Sequence, residues 1–143
     1  MLVNDTHQAM TSPASPSPTP VPAKRTLRIL YAEDVRQLRD LLSIVLTKEG
    51  HTVECVVDGL QALEKITADP TGYDLLITDH HMPNMNGLDL VTHLRAQSFP
   101  GKIIVFSSEL SPAVSFAYRQ LKVEYLLPKP IFPVTLRAVL ATL

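Results

Sequence analysis

Leu75-Leu76-Ile77-Thr78-Asp79-His80-His81-Met82-Pro83-Asn84-Met85-Asn86-Gly87 holds the strongest structural signal in the chain. An apolar run that halts at a carboxylate and then meets Pro and Gly reads as a buried strand that carries Asp79 to the rim of a sheet. The same design recurs outward from it. Leu27 to Ala32 is apolar but for Arg28 and ends in Glu33-Asp34; Lys102 to Phe106 ends in Ser107-Ser108; Val123 to Leu127 runs into Pro128-Lys129-Pro130. In an open parallel sheet ligands sit beyond the carboxyl ends of the strands, where the chain order reverses. Three carboxylates, a hydroxyl and an ammonium all fall at such ends.

Between these runs the periodicity turns helical, and the alternation of strand-like and helix-like segments predicts a parallel sheet covered by helices on both faces. After Asp34, residues Val35, Leu38, Leu41, Leu42, Val45 and Leu46 share one helical stripe, Ile44 falls on the polar side, and Gly50 is placed to end the helix. His51 to Val57 alternates as a second strand, with Cys55 expected to be a buried, reduced thiol. Asp58-Gly59 makes a turn, and Leu60, Leu63 and Ile66 mark the next helix. Further helices are expected after Asn86-Gly87, from about Pro112 to Leu121, and from Pro133 to the last residue. Five strands and five helices result. The last helix reaching the final residue leads to the expectation that output passes to a separate molecule.

The chain has 143 residues, 45% of them hydrophobic, and a net charge of -1. That is enough for one globular domain with a core. The charge balance gives no basic footprint for direct nucleic-acid binding. No stretch reaches the roughly 18 to 20 apolar residues of a membrane span, and no signal peptide opens the chain, so a soluble cytoplasmic protein is expected. Residues 1–25 are rich in Ser, Thr and Pro and are expected to form a disordered extension; residues 26–143 form the folded domain.

Clustered carboxylates repel unless a cation joins them, and a hard divalent ion such as Mg2+ suits oxygen donors. A competing reading has Glu33-Asp34 only capping the helix that follows. His80 and His81 raise the question of a transition metal, but neighbours in an extended segment point apart and no Cys or His at ligand spacing accompanies them.

The ordered set of Glu33-Asp34, Asp79 with Met82-Pro83 and Gly87 beyond, Ser107, and Lys129-Pro130 resembles the CheY-like receiver domain of two-component response regulators, over roughly Thr26 to Leu143. The resemblance implies a flavodoxin-like, doubly wound α/β fold: a five-stranded parallel sheet of order 2-1-3-4-5 with five helices. It implies that Asp79 is the phosphoacceptor and that Mg2+ is held by Asp34, Asp79, the backbone carbonyl of His81 and, through water, Glu33. Ser107 and a Lys129 turned inward by a cis Lys129-Pro130 bond would meet the phosphoryl group, with His81 and Glu109 bordering it and tuning access of water. The family often has Asp where Glu33 stands, and often an aromatic three residues before the site lysine, where this chain has Leu126, with Tyr125 one place earlier and pointing to the other side of the strand. The implied partners are a sensor histidine kinase or histidine phosphotransfer protein as donor and a separate downstream effector. The implied domain is a signalling module that catalyses only its own phosphorylation and dephosphorylation. Two rivals stand beside it: a receiver-like docking module that needs no phosphorylation, and a small aspartyl phosphatase, which would place a second Asp where His81 stands.

Overall fold

A computed structural model describes residues 25–109 and 111–143; the disordered extension expected over residues 1–25 lies, but for its last residue, outside them. Five strands alternate with five helices: β1 (Arg28–Ala32), α1 (Arg36–Lys48), β2 (Thr52–Val56), α2 (Gly59–Ala68), β3 (Leu75–Asp79), α3 (Gly87–Ala96), β4 (Lys102–Ser107), α4 (Pro112–Gln120), β5 (Tyr125–Pro128) and α5 (Pro133–Leu140). The strands form one parallel sheet in the order β2-β1-β3-β4-β5, the order the resemblance implied. β3 is central and buried along its whole length. That burial is why Leu75 to Thr78 carries no polar alternation apart from its last residue.

The pleat of the sheet sends alternate residues to two cores. Leu30, Ala32, Leu76, Ile103 and Val105 meet α2, α3 and α4 through Ala62, Ile66, Leu90, Val91, Leu94 and Tyr118. Ile29, Tyr31, Leu75, Ile77, Ile104 and Phe106 meet α1 and α5 through Leu42, Leu46, Leu136, Val139 and Leu140. Local signals fix the helix ends. Asp58, Asn86 and Ser111 each accept a hydrogen bond from the third residue of the helix they open, and Pro begins α4 and α5. Past the end of α1, Gly50 takes φ +92°, a left-handed turn that favours glycine, and donates its N–H to the Thr47 carbonyl at 2.9 Å.

Three expectations need correction. Of the α1 stripe only Leu42 and Leu46 are buried; Val35, Leu38 and Leu41 are exposed, like Ile44 on the other side, because the part of α1 that the sheet covers is narrower than the apolar stripe. Leu60 is likewise exposed at the start of α2, where Ala62 takes the inward position. Cys55 is exposed rather than buried, since β2 is an edge strand with one face only partly covered; its Sγ lies 2.9 Å from Ser43 Oγ. Among the described residues no helix is long and apolar enough to cross a membrane.

Candidate functional site

β1 and β3 are neighbours whose crossovers run in opposite directions along the sheet, so a crevice opens at their carboxyl ends. Glu33 and Asp34 follow β1 directly and Asp79 ends β3, so the three side chains converge. Each offers an oxygen within 4.8 Å of the others, with Glu33 and Asp79 buried and Asp34 exposed. Among the described residues this is the group of His, Cys, Asp and Glu side chains that could hold a metal. The capping alternative is not realised: α1 opens at Val35 without a side-chain cap.

Lys129 closes the site from the end of β5. Its ammonium donates to Asp79 Oδ2 at 2.8 Å and to Glu33 Oε1 at 3.2 Å, and the Lys129-Pro130 peptide is cis. The other Asp79 oxygen, Oδ1, accepts the backbone N–H of His80 at 2.8 Å. The Asp79 carboxylate is therefore held at both oxygens by groups of the opposite polarity. Burial works against the charge of Lys129, but the hydrogen bond and charge of Asp79, joined by Glu33, outweigh it and raise the lysine pKa. Glu33 goes the same way for the opposite reason: burial first, then the neighbouring Asp79 carboxylate, pushes its carboxyl up to about 7, against the pull of Lys129. Glu33 Oε2 is buried without a partner. An orphaned oxygen beside two further carboxylates is the donor set a hard divalent cation fits.

Ser107 ends β4, one residue beyond the Phe106 that stands opposite Asp79 in the sheet register. The hydroxyl is buried and turned into its own loop, donating to the Glu109 carbonyl at 2.6 Å and accepting the Glu109 N–H at 3.0 Å. Glu109 Oε2 in turn lies 3.0 Å from His81 Nε2, both side chains being more than half exposed. The structure thus gathers Glu33, Asp34, Asp79 and Lys129 in one contact group, with Ser107, Glu109 and His81 linked along its rim.

The two histidines do not simply point apart. Past Asp79 the chain leaves the strand, His80 N–H also reaching the Phe106 carbonyl, and the two rings meet edge-on with centroids 4.6 Å apart. His81 goes to Glu109 at the surface, whereas His80 is buried and its Nδ1 lies 2.5 Å from the hydroxyl of Tyr118 on α4. Burial lowers the His80 pKa, with the neighbouring His81 adding to it, and raises that of Tyr118, so both partners of this bond favour their neutral forms. Sequence reading misses Tyr118, since a lone Tyr in a helix carries no signal of what it will meet. Leu126 and Tyr125 lie as expected on opposite sides of β5: Leu126 packs against the core holding Tyr118, and Tyr125 reaches Thr142 Oγ1 at 2.6 Å.

This arrangement matches known proteins. A family model described as the response regulator receiver domain matches residues 29–141. The chain belongs to that family, the receiver domains of two-component signalling. It is 35% identical over 123 residues to the sensory/regulatory protein RpfC of Xanthomonas campestris pv. campestris, covering 83% of this chain but 17% of RpfC. It is 34% identical over 105 residues to the response regulator MprA of Mycobacterium ulcerans, covering 73% of this chain and 44% of MprA. The chain therefore spans less than half the length of these relatives, in which the matching part is a domain of a larger protein. Among solved structures, the Vibrio cholerae chemotaxis protein CheY4 superposes with a TM-score of 0.74 at 29% identity, covering 82% of this chain and 98% of that one.

Proposed function

We propose that this receiver takes a phosphoryl group from a phosphohistidine donor, a sensor histidine kinase or a histidine phosphotransfer protein, onto Asp79, and passes the signal to a separate effector protein. The observation that carries the reading is the Asp79 carboxylate, buried, oriented by His80 N–H and Lys129, and flanked by Glu33 and Asp34.

In the transfer an Asp79 oxygen attacks phosphorus, an O–P bond forms as the donor's N–P bond breaks, and the imidazole leaves as a neutral ring once protonated. Charge spreads over the three phosphoryl oxygens, and Lys129 stands ready to meet part of it as a point charge. Mg2+, held by Asp34, Asp79, the His81 carbonyl and, through water, Glu33, would neutralise the carboxylates and bind a phosphoryl oxygen. Ser107 gives up its two bonds to the Glu109 backbone so that its hydroxyl can donate to the product dianion. His81 and Glu109 sit over the approach and govern how water reaches the acyl phosphate. An open cavity of about 420 Å3 between α1 and the loop after β5 is lined by Leu38, Leu41, Lys129 and Ile131, which gives a docked donor an apolar surface next to the acceptor. Exposed Phe116 on α4 and Val134 on α5 offer the effector another.

Acetyl phosphate with Mg2+ should add one phosphate per chain that hydroxylamine removes, and Asp79→Ala should take none. Intact-mass measurement decides it: a single phosphate retained by Asp79→Ala refutes the assignment, and no modification of the wild type with any donor favours the docking module.

A further inference from the structure

The site contains one connection that the reading above does not use. His80 donates its backbone N–H to Asp79 Oδ1, while its buried ring is bonded to the Tyr118 hydroxyl of α4, the two rings meeting edge-on with centroids 5.4 Å apart. Tyr118 is fully buried, so its hydroxyl can find no water to replace that bond without a local rearrangement. The hydroxyl also occupies the space beside Gly87: a methyl group there would stand 2.8 Å from it and 2.5 Å from the Asp79 carbonyl oxygen. Acceptor, α3 start and α4 therefore meet at one point. From the other direction, Ser107 holds Glu109, Glu109 holds His81, and the His81 ring rests on that of His80.

We propose that the Tyr118–His80 hydrogen bond is the link through which the state of Asp79 sets the position of α4 in this protein. The proposal rests on the phosphoacceptor reading. A phosphoryl group that draws Ser107 to itself removes both bonds that anchor Glu109; the His81 contact loosens, and His80 turns against a Tyr118 that cannot stay behind. Tyr118 carries with it the helix that presents Phe116 and Arg119 on the outside. The residue three places before Lys129 is Leu126, which has no group able to hydrogen-bond to the Ser107 loop, so the polar connection from site to α4 runs through the histidine instead. Coupling of this kind is reciprocal: a ligand that holds α4 in one position must alter how readily the acceptor is occupied.

The test uses fluoroberyllate with Mg2+ as a phosphoryl stand-in, read by amide NMR on the whole chain. In the wild type, residues 79–81, 107–109 and 113–120 should all shift. At saturation Tyr118→Phe, which keeps the ring, should still respond at residues 79–81, while its α4 shifts fall to about a fifth and its fluoroberyllate midpoint moves about fivefold. His80→Leu should behave as Tyr118→Phe. His80→Asn, which restores an acceptor near the Nδ1 position, should regain the α4 response, an outcome that simple loss of packing would not give. Undiminished α4 shifts in Tyr118→Phe overturn the proposal, and so does a wild type that responds at residues 79–81 but not in α4. A wild type silent at residues 79–81 fails the phosphoacceptor reading itself and leaves the pair nothing to transmit.

Discussion

Glu33 shows how this site stores an imbalance that a ligand can relieve. Its side chain is inaccessible to solvent, one oxygen is bonded to Lys129, and the other is without a partner. Burial and the adjacent Asp79 outweigh the lysine and raise the carboxyl from 4.5 to about 7. At this residue the folded protein therefore keeps a proton that the unfolded chain has already released, and the contribution of Glu33 to the stability of the magnesium-free protein falls as pH rises between about 4.5 and about 7, while His80, its pKa lowered by burial, acts in the other direction. The loss is on the order of 3 kcal/mol at most. Glu33→Gln has no proton to lose, so urea unfolding in EDTA should show a flatter pH profile and a higher midpoint at pH 8 than the wild type. With Mg2+ added at pH 8 the wild type should gain stability and the variant should gain less. A Glu33→Gln variant whose pH profile without metal runs parallel to that of the wild type contradicts this role for Glu33.

At the scale of the element, the site depends on how each connection is ended. Asn86 caps α3 by accepting the Asp89 N–H at 2.8 Å, and Gly87 N–H donates to the His80 carbonyl at 2.8 Å, so the start of α3 is tied to the residue after Asp79. Asn84, in the left-handed region at φ 66°, donates to Asp58 Oδ2, and Asp58 caps α2 through its other oxygen. The loop carrying His80 and His81 is thus pinned at both neighbouring helix starts. Asn86→Ala should cost about 1 kcal/mol of stability by chemical denaturation, whereas Asn86→Asp, which still accepts from the helix N–H groups, should cost less than half of that. Equal losses would mean that the cap contributes nothing specific.

Across the whole molecule, two cores of similar make-up clamp a sheet whose middle strand belongs to both. Leu76 and Ile77 are neighbours in sequence, yet Leu76 packs against α2, α3 and α4 and Ile77 against α1 and α5. Both are fully buried, so Leu76→Ala should leave a cavity beside β3 and lower stability by about 2–5 kcal/mol in urea or thermal unfolding. A loss below 1 kcal/mol would show that the helices collapse onto the gap, against the close packing described here. β2 lies at an edge of the sheet, which is why Cys55 lies at the surface.

The strands, their parallel stacking and the arrival of Asp79, Glu33-Asp34, Ser107 and Lys129 at carboxyl ends were all legible in the sequence. Buried strands write themselves as apolar runs, and a polar residue that breaks such a run must lie where the sheet stops. Which residues share the apolar side of α1 was legible too, but not which of them the sheet would cover, because the width of the contact depends on how the helix settles on its neighbours. The same limit hid the exposure of Cys55 and the bond between His80 and Tyr118. Periodicity reports the face on which a side chain lies. What it touches there is decided by elements distant in the chain, in this case 38 residues apart, and only the packed sheet and helices bring them within reach.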